Sequence, residues 1–211
     1  DKISLRLASG LDNVEPDEAD DIIFSGMGGI LIAELIEKAP WLKDSEKHLI
    51  LQPQSHAEIL RSFLIQNGFR IEKENICEDS GRVYCIMSVY FDGESRTYPE
   101  WYEYYGEIPS CTNPLAKEYL HRLADRYVRD AGNMRCADPT SAEKLYSVAD
   151  KLTDNQIAFF EKFAGNQFFS RMHTQNFCNV FGIITSDDAF VFVNGFSKEA
   201  RHGLSFHFAS Q

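Results

Sequence analysis

The chain opens on a period-two alternation, Ile3-Ser4-Leu5-Arg6-Leu7, that ends at Ser9-Gly10. This pattern predicts a strand followed by a turn. Asp20-Asp21-Ile22-Ile23-Phe24 is a short apolar run that passes directly into Ser25-Gly26-Met27-Gly28-Gly29. Ile30, Leu31, Ala33, Leu35 and Ile36 then recur at helical spacing as far as Ala39-Pro40, where proline disfavours helical geometry in the residue before it. His48 to Leu51 is a second apolar run, closed by Gln52-Pro53. A helix is predicted over residues 57–67, with Ile59, Leu60, Phe63 and Leu64 as its buried stripe and Gly68 as a left-handed terminator. Residues 69–77 and 83–91 read as two strands joined by Glu78-Asp79-Ser80-Gly81-Arg82, an antiparallel pair at a sheet edge. Strand–helix–strand alternation of this kind predicts an α/β unit with a mainly parallel sheet.

From residue 97 the pattern changes. An aromatic connector, Trp101-Tyr102-Glu103-Tyr104-Tyr105-Gly106, leads to a helix over 115–129 with Leu115, Tyr119, Leu123 and Tyr127 in its stripe. A second helix is predicted from about Asp138 to Phe163. Asp138 is placed to cap it, Pro139 suits its first position, and Thr140 stands three residues before Glu143. Ala142, Leu145, Val148, Ala149 and Leu152 repeat at helical spacing, so the two helices read as an antiparallel hairpin. The tail from Gly165 is different again: twelve of the sixteen Phe lie between Phe159 and Phe208, and Phe190 to Asn194 reads as a strand entering an Asn-Gly turn. The expected division is 1–96, an α/β unit; 97–164, a helical extension; and 165–211, a Phe-rich tail.

Composition narrows the classes. With 44% apolar and 13% aromatic residues over 211 positions the chain can build a core. No apolar run reaches a membrane span, and residues 1–10 carry no signal-peptide stretch. The chain does not open on Met, which suggests that it starts inside a longer protein. The net charge of -11 disfavours non-specific adhesion to nucleic acid, though a local basic patch remains open. Cys77, Cys85, Cys111, Cys136 and Cys178 form no C-x-x-C pair, so reduced thiols in the cytoplasm are expected and a Cys-rich zinc site is not. His173, His202 and His207 have no metal-ligand spacing, and no metal is expected.

Gly26-Met27-Gly28-Gly29 holds the candidate chemistry, because glycine admits close backbone approach and a helix start offers free N–H groups. A dinucleotide fingerprint would need glycine where Leu31 stands and an acid where Gln52 stands. A Walker loop would need a Gly-Lys-Ser/Thr ending that is lacking. On the local pattern alone, a tight turn without a ligand is an equal reading.

Several stretches taken together are more specific. Residues 22–32 (IIFSGMGGILI), Leu49-Ile50-Leu51-Gln52-Pro53-Gln54, residues 60–71 (LRSFLIQNGFRI) and Gly81-Arg82-Val83-Tyr84-Cys85-Ile86 resemble the bacterial tRNA (adenine(22)-N(1))-methyltransferases. Residues 3–11 (ISLRLASGL) resemble that family's third strand and turn. Tyr105-Gly106 and the helices after it resemble its C-terminal extension. The resemblance implies a Rossmann-like class I sheet, incomplete because its first two strands would precede residue 1, with a C-terminal antiparallel helical hairpin. In the class I order 3-2-1-4-5-7-6 this leaves the Ile3–Leu7 strand without a neighbour. The cofactor implied is S-adenosylmethionine and the partner tRNA.

Under the resemblance Ser9, Gly10, Leu11, Ser25, Gly26 and Met27 meet the cofactor. Gly26, Met27, Gly28, Gly29, Gln52 and Pro53 position the target base. Ser9 departs from the acidic or amide residue common at its position. The missing strands carry the Gly-rich cofactor loop and a ribose-binding acid, so weak cofactor binding by this chain alone is expected. Adenine N1 already holds a lone pair, so no general base is assigned. Arg122, Arg126 and Arg129 on one helical face, and Lys43, Lys47 and His48 near the ligand edge, are candidate tRNA contacts, with solvated or ion-paired faces as the competing reading. Trp41, Trp101, Tyr102, Tyr104 and Tyr105 are candidates for base stacking, with core packing the competing role. A non-catalytic RNA- or protein-binding module, and a methyltransferase with another substrate, stay open.

Overall fold

A computed structural model describes residues 3–98, 101–164, 190–194 and 204–208, with side chains described for 4–98 and 101–153. The strands are β1 (Ile3–Leu7), β2 (Asp21–Met27), β3 (His48–Pro53), β4 (Phe69–Asp79), β5 (Arg82–Phe91), β6 (Phe190–Asn194) and β7 (Leu204–Phe208). The helices are α1 (Gly29–Lys38), α2 (Ala57–Gln66), the single turn α3 (Tyr102–Tyr105), α4 (Leu115–Met134) and α5 (Pro139–Ala164). All seven strands join one sheet in the order β1-β7-β6-β2-β3-β5-β4.

β2 lies parallel to both β3 and β6, while β5 runs antiparallel to β3 and to the edge strand β4. The β4–β5 edge pair is the one the sequence predicts. The expectation of an unpaired first strand is corrected: β7 pairs with β1, with Leu5 opposite Phe206, and β6 fills the place between β7 and β2. The Phe-rich tail thus contributes two strands to the sheet interior. β1 runs antiparallel to β7, which runs antiparallel to β6, so β1, β6, β2 and β3 all point one way and share a carboxyl edge.

Alternation sorts the side chains of β2 and β3 onto two faces. Ile22, Phe24, Leu49 and Leu51 face α1 and α2 and join the main core with Ile32, Ile36, Leu60 and Leu64. Ile23 and Ile50 face the other way, with Cys77 and Ile86. The α2 stripe differs from the expected one. Ala57, Leu60, Arg61 and Leu64 are its buried positions, Phe63 is half-buried against the core, and Ile59 is 43% exposed. The helix is rotated so that a charged residue faces inward, because a carboxylate on β4 is there to meet it. Gly68 takes φ +77 after the end of α2, as predicted.

α4 and α5 pack along each other as the predicted hairpin. α5 is capped by Asp138, whose Oδ1 accepts from the Ser141 N–H at 3.1 Å. The α4 stripe is Ala116, Leu120, Leu123, Ala124, Tyr127 and Ala131, with Leu115 and Tyr119 half-buried at its border.

Candidate functional site

The carboxyl edge shared by β1, β6, β2 and β3 gathers most of the residues singled out above. At the end of β2 the ladder slips: Ser25 sits opposite Gln52, but Met27 sits opposite Pro53. Gly26 is the extra residue, a β-bulge at φ +76 that L side chains resist. Its N–H donates to Gln52 Oε1 at 2.9 Å, and the Ser25 hydroxyl donates to the same oxygen at 3.1 Å. The Gln52 side chain therefore clasps the bulge.

Beyond the bulge, the Gln54 N–H reaches Met27 O at 2.8 Å and the Gly29 N–H reaches Ser55 O at 2.7 Å, so the two strand ends are stitched together. The last two glycines have different duties. A Cβ on Gly29 would strike the His56 carbonyl oxygen, so its bareness is consumed by chain packing. Gly28 is at φ -69, with only Ser55 Oγ near, 3.1 Å from where a Cβ would be. Close approach to a ligand is thus a role left for Gly26 and Gly28, not Gly29. Met27 is buried in the main core.

The Ser9-Gly10-Leu11 turn follows β1 and reaches the same edge. Gly10 is at φ +60, and a Cβ there would run into Leu35 of α1, so the turn is seated on that helix. The Gln52 amide nitrogen is buried and has no hydrogen-bond partner among the described residues. An orphaned donor beside a glycine bulge at a carboxyl strand edge fits a ligand that carries acceptor atoms.

The structure separates the basic candidates. Arg126 Nη2 lies 3.4 Å from Glu58 Oε2 in the first turn of α2, next to the Ser55–His56 backbone that packs on Gly29. Arg122 pairs with Glu118 at 2.5 Å and reaches the carbonyl of Gly81 at 3.3 Å. Gly81 turns β4 into β5, which projects past the carboxyl end of β3. Arg129 is exposed one turn further along α4. Arg126 and Arg122 therefore touch segments at the carboxyl end of β3, the start of α2 and the β4–β5 turn.

Lys43, Lys47 and His48 do not. They precede or begin β3, at the amino edge, which corrects their expected placement near the ligand edge. Lys47 is buried and donates to Ala19 O at 2.9 Å and to Asp20 Oδ1 at 2.8 Å. Lys43 and Lys47 line an open cleft there with Trp41, Asp17, Asp44 and Asp92, a mixed-charge surface.

His48 has Asp21 Oδ1 at 2.7 Å from Nδ1 and Ser88 Oγ at 2.9 Å from Nε2. That is the order of a nucleophilic triad. Ser88, however, is 0% exposed on β5 between β3 and β4, and its hydroxyl is already engaged by His48 and Glu72, so the set is a buried brace. Trp101 and Tyr104 lie under Lys144, with Lys151 also over Trp101 at 4.7 Å; Tyr104 and Tyr127 meet edge to face at 5.4 Å. These rings tie the connector to the helical hairpin, the packing role. Among the described residues no group of three His, Cys, Asp or Glu could hold a metal ion. His173, His202 and Cys178 lie outside the described residues, as does the side chain of His207. The signal for the buried clasp, an amide one strand over from a Ser-Gly bulge, is absent from either strand read singly.

The sheet is mixed rather than mainly parallel as expected, because among the described strands only β6–β2 and β2–β3 pair in parallel. Four strands nonetheless share one carboxyl edge with a glycine bulge on it, the arrangement of a Rossmann-like fold. A family described as a methyltransferase domain matches residues 1–87. Within that class the chain is similar to the tRNA (adenine(22)-N(1))-methyltransferases. It is 36% identical over 85 residues to the Bacillus subtilis tRNA (adenine(22)-N(1))-methyltransferase, a stretch of 40% of this chain and 36% of that one. The chain thus spans about a third of the curated relative's length. Among solved structures, a Streptococcus agalactiae protein of the NADB-Rossmann superfamily superposes with a TM-score of 0.60 at 25% identity, covering 71% of this chain and 67% of that one. A Streptococcus pneumoniae protein assigned to tRNA (m1A22) methylation, solved with S-adenosyl-L-methionine, gives 0.52 at 27% identity, covering 70% and 66%.

Proposed function

We propose that this chain carries the methyl-transfer edge of an enzyme that methylates N1 of adenine 22 in tRNA with S-adenosylmethionine as donor. One observation carries the reading: the Ser25–Gly26–Gln52 clasp lies at adjacent carboxyl strand ends, inside residues 1–87, which match the methyltransferase-domain family.

Bound S-adenosylmethionine supplies an electrophilic methyl on a sulfonium. Ser9, Gly10 and Leu11 would hold its adenosyl end, and Ser25, Gly26 and the backbone of Met27 would line the methyl end. Gly28, Gln52 and Pro53 border the target base. Adenine N1 attacks with its own lone pair, so the residues around the bulge chiefly align and enclose the reacting atoms. The base leaves its stack to enter, at a cost of a few kcal/mol. Arg122 and Arg126, with Arg129 further along the same helix, are the candidate contacts to tRNA phosphates, Arg122 and Arg126 exchanging carboxylate partners for phosphate. Lys43 and Lys47, at the amino edge, are a separate and weaker candidate surface. Among the described residues no helix is long and apolar enough to cross a membrane, and a tRNA substrate points to the cytoplasm.

The test is transfer of labelled methyl from S-adenosylmethionine to unmodified tRNA, with the modified base mapped. Label at adenine 22 is the expected outcome; label elsewhere, or none, overturns the reading. Calorimetric titration with S-adenosylmethionine measures separately how much of the cofactor site this chain holds.

A further inference from the structure

We infer that the Gln52 side-chain amide reads a non-reacting ring nitrogen of the target adenine, N3 or N7, through its N–H groups. This deepens the proposed function and rests on it. Gln52 Oε1 already accepts twice, from the Gly26 N–H at 2.9 Å and the Ser25 hydroxyl at 3.1 Å. A backbone N–H only donates, so it fixes which end of the amide is oxygen. What remains is Nε2, with two hydrogens to give. It is buried, it has no partner among the described residues, and it is one amide carbon away from an atom in contact with the bulge.

A native structure seldom buries an amide donor unused, and this one sits where open α/β sheets receive ligands. The partner must be an acceptor. On adenine the N6 amino group donates and is excluded. N1 is the nucleophile, and a hydrogen bond there would occupy the lone pair that takes the methyl. N3 and N7 are the remaining acceptors. A contact to either orients the ring and leaves N1 free. The competing source of an acceptor is an oxygen of the cofactor, and the experiment separates the two.

Gln52→Glu keeps an oxygen for Ser25 and Gly26 and removes the N–H groups. Wild-type chain and Gln52→Glu are assayed on tRNA carrying adenosine, 3-deazaadenosine or 7-deazaadenosine at the target position. The expected result is a loss of about tenfold in kcat/KM for one deaza substrate with wild type. Gln52→Glu is expected to show a similar loss on adenosine and no further loss on that analogue, with circular dichroism unchanged. If Gln52→Glu fails to fold, the analogue series on wild type still decides. In parallel, the ¹⁵N-labelled Gln52 side-chain amide signal is followed by NMR, first with S-adenosylhomocysteine and then with added adenosine. A shift on adenosine but not on the analogue supports the inference even if methyl transfer by this chain is undetectable, the result that would count against the proposed function instead. Both deaza substrates matching adenosine, a signal moved fully by S-adenosylhomocysteine alone, or a signal moved by neither ligand overturns it.

Discussion

Arg61 Nε donates to Glu74 Oε1 at 2.9 Å with the two side chains 1% and 0% exposed, a charge pair sealed between α2 and β4. Burial alone would disfavour the guanidinium charge, but the Glu74 carboxylate outweighs it and raises the Arg61 pKa. Neither partner is spent on the other alone. Arg61 Nη1 also donates to the carbonyls of Glu103 and Tyr104 at 3.1 and 3.2 Å, and Glu74 Oε2 accepts the Glu107 N–H at 2.6 Å. The pair therefore pins the connector between the α/β unit and the helical hairpin. Removing one partner leaves the other charge buried and unmatched, at about 3–5 kcal/mol. Arg61→Met is expected to lower unfolding stability by that amount and to open residues 101–108 to limited proteolysis. Denaturant titration and mapped cleavage check both. A loss under about 1 kcal/mol would mean that the buried pair is not what holds the connector.

Gly106 is the second requirement of the same junction. It sits at φ +55, and a Cβ there would overlap both Glu74 Oε2 and Arg61 Nε. Gly106→Ala therefore meets backbone strain and an immovable ion pair together. The expected cost is roughly 2–4 kcal/mol by thermal or chemical denaturation. Combined with Arg61→Met, it should cost less than the sum, because the two substitutions damage one network.

Alkaline pH should weaken the fold. Burial pushes the Cys77 thiol up to about 11, with Asp79 adding to it, and holds Cys85 well above the ordinary thiol value, helped by the Glu74 charge. Burial raises Tyr119 and Tyr102 as well. In the unfolded chain these thiols lose their protons near pH 8.5, while the folded state keeps them. Above that pH the unfolded state binds fewer protons, so unfolding free energy falls as pH rises, by up to about 1.4 kcal/mol per pH unit for each thiol. The Cys77 share is fully present below the unfolded value and levels off past about 11. Denaturation midpoints at pH 7.5, 9 and 10 should decline in that order, and Cys77→Ala should shallow the decline. Midpoints that do not move over this range would show that the thiols carry no such linkage.

The α/β half was legible because its signals are local. Apolar runs entering Ser25-Gly26 and Gln52-Pro53, and Gly68 after α2, mark β2, β3 and the helix end from their own residues. What escaped depends on partners far along the chain. Periodicity put Ile59 in the core of α2 and passed over Arg61, because the Glu74 that admits a buried arginine lies thirteen positions away on another strand. The strand pattern of Phe190–Asn194 was visible, but its place beside β2 is a choice of neighbour, which no alternation encodes. Lys43 and Lys47 were assigned to the wrong edge for a similar reason. They lie close in sequence to Gln52, but β3 carries the chain from one edge of the sheet to the other between them.

The two final glycines of the turn give the sharpest separation of packing from chemistry. Gly29 begins α1 pressed on the His56 backbone, and its N–H is held by Ser55 O at 2.7 Å. Neither neighbour is a flexible side-chain tip, so Gly29→Ala must move α1 or the 55–56 loop. We expect a loss of about 2 kcal/mol in stability together with loss of methyl transfer. Gly28 has an ordinary φ of -69, and the Ser55 hydroxyl near it can rotate away. Gly28→Ala should therefore leave stability within about 0.5 kcal/mol of wild type. Any fall in its methyl transfer then reports crowding of the ligand rather than damage to the fold. Denaturation and transfer assays on the two variants side by side make the comparison. Equal destabilisation by both would refute the assignment of packing to Gly29 and open space to Gly28.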